Sequence, residues 1–126
     1  MDDLDSILNK CRNQKVVFVS GNFNVIHPGH LRLLRFAKEC GDVRVVGVHN
    51  NEQAGSSALV DERDRLEGVK SNGYVDHAFI LSSGIQSLIN TMRPAVIVKG
   101  KEYEGRANIE QKALASYGGQ LVFGSG

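Results

Sequence analysis

The sequence predicts an α/β fold in which five parallel strands alternate with helices that cover both faces of the sheet. Two observations carry the prediction. Short apolar runs alternate with segments of helical period from one end of the chain to the other. The first run, Lys15-Val16-Val17-Phe18-Val19-Ser20, is apolar without polar interruption, the pattern of a strand buried on both faces. No repeat, linker or low-complexity tract breaks the alternation, so the 126 residues are read as a single domain, 1–126.

Each element has its own local cause. Leu4, Ile7, Leu8 and Cys11 fall at helical spacing within residues 3–13. The strand over 15–20 follows, and Gly21 ends it where the chain must turn sharply. A helix over about 29–40 places Leu33, Phe36, Ala37 and Cys40 on one face and is stopped by Gly41-Asp42. A second strand covers 43–48, and the small polar residues 50–59 read as a loop. Asp61 is a candidate N-cap for a helix reaching about Asn72, with Gly73 as its stop. A third strand covers 78–81, and a short helix over 85–92 is closed by Pro94. A fourth strand covers 95–98, a helix 107–117 ends at Gly118-Gly119, and a fifth strand covers 120–123. In such a sheet ligands bind beyond the carboxyl ends of the strands. The loops to search start at Gly21, His49, Leu81, Lys99 and Gly124.

Composition narrows the function. Fifteen Lys and Arg against fourteen Asp and Glu leave a formal charge of +1, which disfavours a nucleic-acid binder and an acidic tail alike. No apolar run approaches the roughly 18 residues of a membrane span, so no membrane partner is expected. The opening Met1-Asp2-Asp3-Leu4-Asp5 is acidic where a secretory signal is basic and then apolar. Two cysteines, Cys11 and Cys40, make no disulfide framework, and a reducing cytoplasm is the expected location.

The stretch Ser20-Gly21-Asn22-Phe23-Asn24-Val25-Ile26-His27-Pro28-Gly29-His30 holds most of the chemistry. Pro28 and Gly29 open a helix whose free N–H groups and positive dipole end attract an anion. His27 and His30 are close enough in sequence for both imidazoles to reach one side of that site. Such a pair donates hydrogen bonds to a phosphoryl group that gains negative charge, with no covalent intermediate. Surface or capping histidines are the plainer reading, and a zinc site lacks a third ligand nearby. Neither GxxxxGK[ST] nor GxGxxG is present, and Ser20 and Cys40 lack the setting of a nucleophile.

Gly-x-Phe-Asn-x-x-His-x-Gly-His, leaving the first strand and opening the first crossover helix, resembles the signature of the cytidylyltransferase-like nucleotidyltransferase superfamily. The likeness continues in Leu31 to Asp42, in Asp64-Arg65-Leu66 to Tyr74-Val75-Asp76, and in Val98-Lys99-Gly100-Lys101-Glu102-Tyr103-Glu104-Gly105. It is strongest to the adenylyltransferase domain of the bifunctional heptose kinase/adenylyltransferase and to the glycerol-phosphate cytidylyltransferases. The resemblance implies a Rossmann-like three-layer α/β/α fold and transfer of AMP or CMP from ATP or CTP to a sugar or polyol phosphate, releasing pyrophosphate. It assigns His27, His30 and Arg65 to the phosphates. It places Gly21, Asn22, Phe23, Asn24 and Gly29 around the nucleotide, and Gly100, Glu102 and Tyr103 near the base and ribose. Mg²⁺ is the implied cofactor, with no clear protein ligand in the sequence. A homodimer or a fused partner domain is the implied company.

Three departures qualify that expectation. Asn24 stands where the family usually carries Asp, and Asn is a poorer magnesium ligand. Residues 50–58 contain no Lys, where relatives often place lysines. The family's Ser/Thr-rich segment, which closes over the β- and γ-phosphates, is expected to be lacking, because Gly124-Ser125-Gly126 stands where it would begin. A non-catalytic or weakly active nucleotide-binding module of a longer chain is therefore the second reading. Nothing in the residues separates ATP from CTP.

Overall fold

The computed structural model describes residues 4–24, 28–55 and 59–124, the Glu102 side chain aside. Helix α1 (Leu4–Lys10) precedes β1 (Val16–Gly21), α2 (Pro28–Glu39) and β2 (Val43–His49). Then come a short α3 (Asn51–Ala54), α4 (Glu62–Lys70), β3 (His77–Leu81) and α5 (Ile85–Met92). The chain closes with β4 (Val96–Gly100), a 3₁₀ turn (Lys101–Tyr103), α6 (Glu110–Ala115) and β5 (Gln120–Gly124). The five strands form one sheet in the order β3-β2-β1-β4-β5, and every pairing is parallel. The fold is the three-layer Rossmann-like α/β arrangement that the alternation predicts.

Strand β1 shows why its sequence is apolar throughout. Successive side chains point to opposite faces, and Phe18 and Val16 enter one core while Val17 and Val19 enter the other. The first core takes Ile7 of α1, Leu88 and Ile89 of α5 and Leu114 of α6. The second takes Leu34 and Ala37 of α2 and Val69 of α4. Phe18 packs on Phe79 with ring centroids 6.2 Å apart, and a Cβ at Gly47 would lie 2.8 Å from the Phe18 ring. Only glycine leaves room for that ring between β1 and β2.

Several local readings shift by a residue or more. Of the stripe predicted for the first helix, Ile7 in α1 and Cys11 just after it are buried, and Leu4 and Leu8 pack partly buried against the same core. In α2 the fully buried leucine is Leu34, whereas Leu33, Phe36 and Cys40 are only partly covered. The helix is rolled toward Leu34 because β1, β2, β4 and β5 all contact it. Within the segment read as a loop, Asn51–Ala54 forms one helical turn, capped by the Asn50 side chain, which accepts from the Gln53 N–H at 2.8 Å. Asp61 does cap α4, accepting from the Arg63 N–H at 3.1 Å. Helix α6 starts at Glu110 rather than at 107. Among the described residues no helix is long and apolar enough to cross a membrane.

The strand order reverses between β1 and β4. Their carboxyl ends diverge into loops that leave on opposite sides of the sheet, so a crevice opens there. Because Leu34 is fully buried in the second core, Leu34→Ala is expected to lower unfolding stability by about 2–5 kcal/mol, measured by urea titration.

Candidate active site

The crevice is a cavity of about 1060 Å³ at the carboxyl ends of the strands. Gly21, Asn22 and Phe23 line it from the end of β1, and His30 and Leu33 from α2. His49, Gln53 and Leu81 line it on the β2–β3 side. Lys99, Gly100, Tyr103, Arg106, Asn108 and Glu110 line it on the β4 side.

The loop after β1 is shaped by a close approach and a strained residue. A Cβ at Gly21 would lie 3.1 Å from the Phe23 ring, closer than most side chains tolerate. Phe23 itself has φ of 52°, in the left-handed region that disfavours side chains, and its ring is buried. The ring stacks on His30 at 5.2 Å between centroids, so the strained backbone orients the imidazole at the cavity wall. Asn24 also lines the cavity, and its Oδ1 accepts from the Leu59 N–H at 3.1 Å. That bond clips the segment after β2 onto the loop after β1. Gly29 sits in the first turn of α2, outside the lining. His27 lies outside the described residues, as does the side chain of Glu102.

Arg65 occupies a different place from the one the resemblance implies. It is 2% exposed and absent from the cavity lining. Its Nε donates to the Val60 carbonyl at 2.8 Å, and Nη1 donates to the Asn22 and His49 carbonyls at 2.7 and 2.8 Å. Its Nη2 donates to Asn51 Oδ1 at 3.0 Å. Four of the five N–H donors of a guanidinium are thereby spent on protein oxygens. Arg65 is a positioning residue beneath the site, joining the ends of β1 and β2. Asn51 extends the clamp, since its Nδ2 donates to Asp61 Oδ1 at 3.0 Å. That bond is the main cause holding the Asp61 carboxyl below the usual carboxylate range, and the Arg63 N–H and the fields of Arg63 and Arg65 add to it.

Three basic lining residues were not among the candidates read from the sequence. His49 ends β2, and its Nδ1 lies 2.8 Å from Asn22 Oδ1. Burial, and then the charge of Arg65, push its pKa below the ordinary 6.5. Lys99 lies in β4, with Nζ 2.7 Å from Asn108 Oδ1 and 2.9 Å from Glu110 Oε2. It also lies 4.5 Å from the centre of the Tyr103 ring. Arg106 covers the same ring at 5.6 Å. The available signal was position: His49 and Lys99 head two of the loops that follow predicted strands. Arg106 carries no such mark in the sequence.

A side-chain cage for a divalent cation does not fit this set. Among the described residues no three His, Cys, Asp or Glu side chains gather. The described carboxylate in the lining, Glu110, is already paired with Lys99.

The strand-order reversal of the parallel sheet opens a cavity lined by imidazole, ammonium and guanidinium groups, a set that suits an anionic ligand. A family model described as cytidylyltransferase-like matches residues 18–116. The chain belongs to the cytidylyltransferase-like family. It is 32% identical to the bifunctional protein HldE of Geobacter metallireducens over 96% of this chain and 26% of that protein. To the bifunctional protein HldE of Campylobacter concisus it is 33% identical, over 84% of this chain and 24% of that protein. It therefore spans about a quarter of the length of these relatives. Among solved structures it shares its fold with the lipopolysaccharide core biosynthesis protein from Thermoplasma volcanium. That match has a TM-score of 0.75, 23% identity, and coverage of 90% of this chain and 98% of the other.

Two outcomes follow from this geometry. Arg65→Lys keeps the charge but cannot span four acceptors on four separate segments. Leaving buried carbonyls without donors is expected to lower stability by about 3–5 kcal/mol, read by thermal or urea unfolding. For His49 the folded-state pKa is depressed, so the unfolded chain binds this proton first as pH falls. The stability of the neutral ring is present above pH 6.5 and lost as pH falls from there through the lower folded-state value. The drop in Tm between about pH 7.5 and about pH 5.5 is expected to be larger in the wild type than in His49→Gln.

Proposed function

We propose that this domain transfers a nucleoside monophosphate, AMP or CMP, from a nucleoside triphosphate to a sugar or polyol phosphate. The observation that carries the reading is the cavity itself, which gathers His30, Lys99 and Arg106 around one space at the strand ends. An oxygen of the acceptor phosphate attacks the α-phosphorus in line. The bond between that phosphorus and the α–β bridging oxygen breaks, and pyrophosphate leaves with the electron pair. Little covalent chemistry falls to the protein, whose part is to position and to offset charge.

Each residue has a part in this scheme. His30, oriented by the Phe23 ring, donates to an oxygen of the α-phosphoryl group as its charge grows. Arg106 brings a guanidinium to the β4 side of the cavity. Lys99 is held there by Glu110 and Asn108, so its ammonium is already placed before a ligand arrives. Gly21, Asn22 and Phe23 line the nucleotide through the backbone, and Gly100 and Tyr103 border the base and ribose. Mg²⁺ in this reading travels on the triphosphate oxygens rather than on side chains. The bifunctional relatives are several times longer than this chain, which supports a fused partner domain.

The test is pyrophosphate release with ATP or CTP and Mg²⁺ across a panel of sugar and polyol phosphates. One nucleotide and acceptor pair is expected to turn over, with His30→Ala slower by about tenfold to a hundredfold. Nucleotide binding without turnover above the His27→Ala/His30→Ala double variant would instead establish a binding module.

A further inference from the structure

His49 is a lining residue to which the family resemblance assigns no part, and its setting is chemically specific. The ring sits at the end of β2 beside the loop after β1, with Nδ1 2.8 Å from Asn22 Oδ1. An amide oxygen only accepts, so Nδ1 carries the proton of that bond. The Asn22 and His49 carbonyls are both anchored by Nη1 of Arg65, at 2.7 and 2.8 Å. The pair is therefore pinned at its backbone as well as at its side chains. The other nitrogen, Nε2, has no protein partner among the described residues. Among the described residues no buried side-chain nitrogen or oxygen lacks a partner, so Nε2 is not a buried atom, and His49 lines the cavity. Burial and the nearby guanidinium both favour the neutral ring.

We propose that His49 is a specificity-determining residue whose Nε2 accepts a hydrogen bond from a ligand hydroxyl. A neutral imidazole protonated on Nδ1 presents a lone pair at Nε2 and no donor. Against a phosphate oxygen it offers nothing but repulsion, which sets it apart from His30, Lys99 and Arg106 in the same cavity. A hydroxyl is the complementary group. Two sources carry one in this reaction: the ribose of the nucleotide and the sugar or polyol portion of the acceptor. This inference rests on the nucleotidyltransferase reading, since both sources are its substrates.

The experiment measures equilibrium binding to the wild type and to His49→Phe, which keeps a ring of similar shape without nitrogen. One arm compares ATP and CTP with their 2′-deoxy and 3′-deoxy forms. The other compares glycerol 3-phosphate with propyl phosphate, in the presence of the nucleotide that binds. In one arm the wild type is expected to favour the hydroxyl-bearing ligand by about tenfold, and His49→Phe to bring the ratio to about one. The arm that responds identifies the source. Nitrogen-15 spectra of the unliganded wild type at neutral pH are expected to show the His49 proton on Nδ1. A proton on Nε2, or ratios that are the same in both proteins, would overturn the inference while leaving nucleotide binding intact. Absence of binding by any nucleotide in the wild type would instead overturn the nucleotidyltransferase reading and this inference with it.

Discussion

A guanidinium taken out of water without a carboxylate against it is expensive unless nearly all its donors find oxygens. Arg65 meets that condition by collecting carbonyls from three places far apart in sequence: Asn22 after β1, His49 at the end of β2 and Val60 before α4. The requirement works in both directions. The charge is tolerable only if those strand ends are held where they are, and the strand ends are held because the charge must be satisfied. Asn51 carries the arrangement onward to Asp61, the cap of α4. Helix α4, the short α3 and the loops of β1 and β2 are thus one hydrogen-bonded unit beneath the cavity.

Above that unit the cavity divides by chemistry. The β1 side offers a loop whose residue Phe23, at φ of 52°, buries its ring and supports His30. The β4 side offers cations arranged around Tyr103, with Lys99 tethered to Glu110 and Asn108. The β2 side offers His49, held by Asn22. Donors for anions lie on two sides, and a neutral ring lies on the third. That distribution suits a ligand with a charged portion and a hydroxylated one.

Much of this could be read from residue order. The apolar β1 run, the stripe of α1 and the Asp61 cap are local patterns whose cause is contained in a few neighbouring residues. The Gly21-to-His30 motif was legible for the same reason: its residues are close in the chain, so their spacing reports their chemistry. The face of α2 was less legible, because the choice between Leu33 and Leu34 depends on how the helix rests on four strands. The turn Asn51–Ala54 was hidden by polar composition, since its stability comes from the Asn50 cap and the Glu62 contacts rather than from an apolar stripe.

By itself the sequence determined the layer order, the parallel sheet, the carboxyl edge as the place of the site and the cytidylyltransferase-like family. Those follow from periodicity and from one contiguous motif, which survive without knowledge of any long-range contact. What Arg65 does was decided only by tertiary structure, because an arginine in a helix reads the same whether it faces phosphate or carbonyls. The placement of His49, Lys99 and Arg106 around one cavity was decided there too. A side chain acquires its protonation, partner and direction from groups that arrive from elsewhere in the chain, and here 27 residues separate His49 from the Asn22 that orients it.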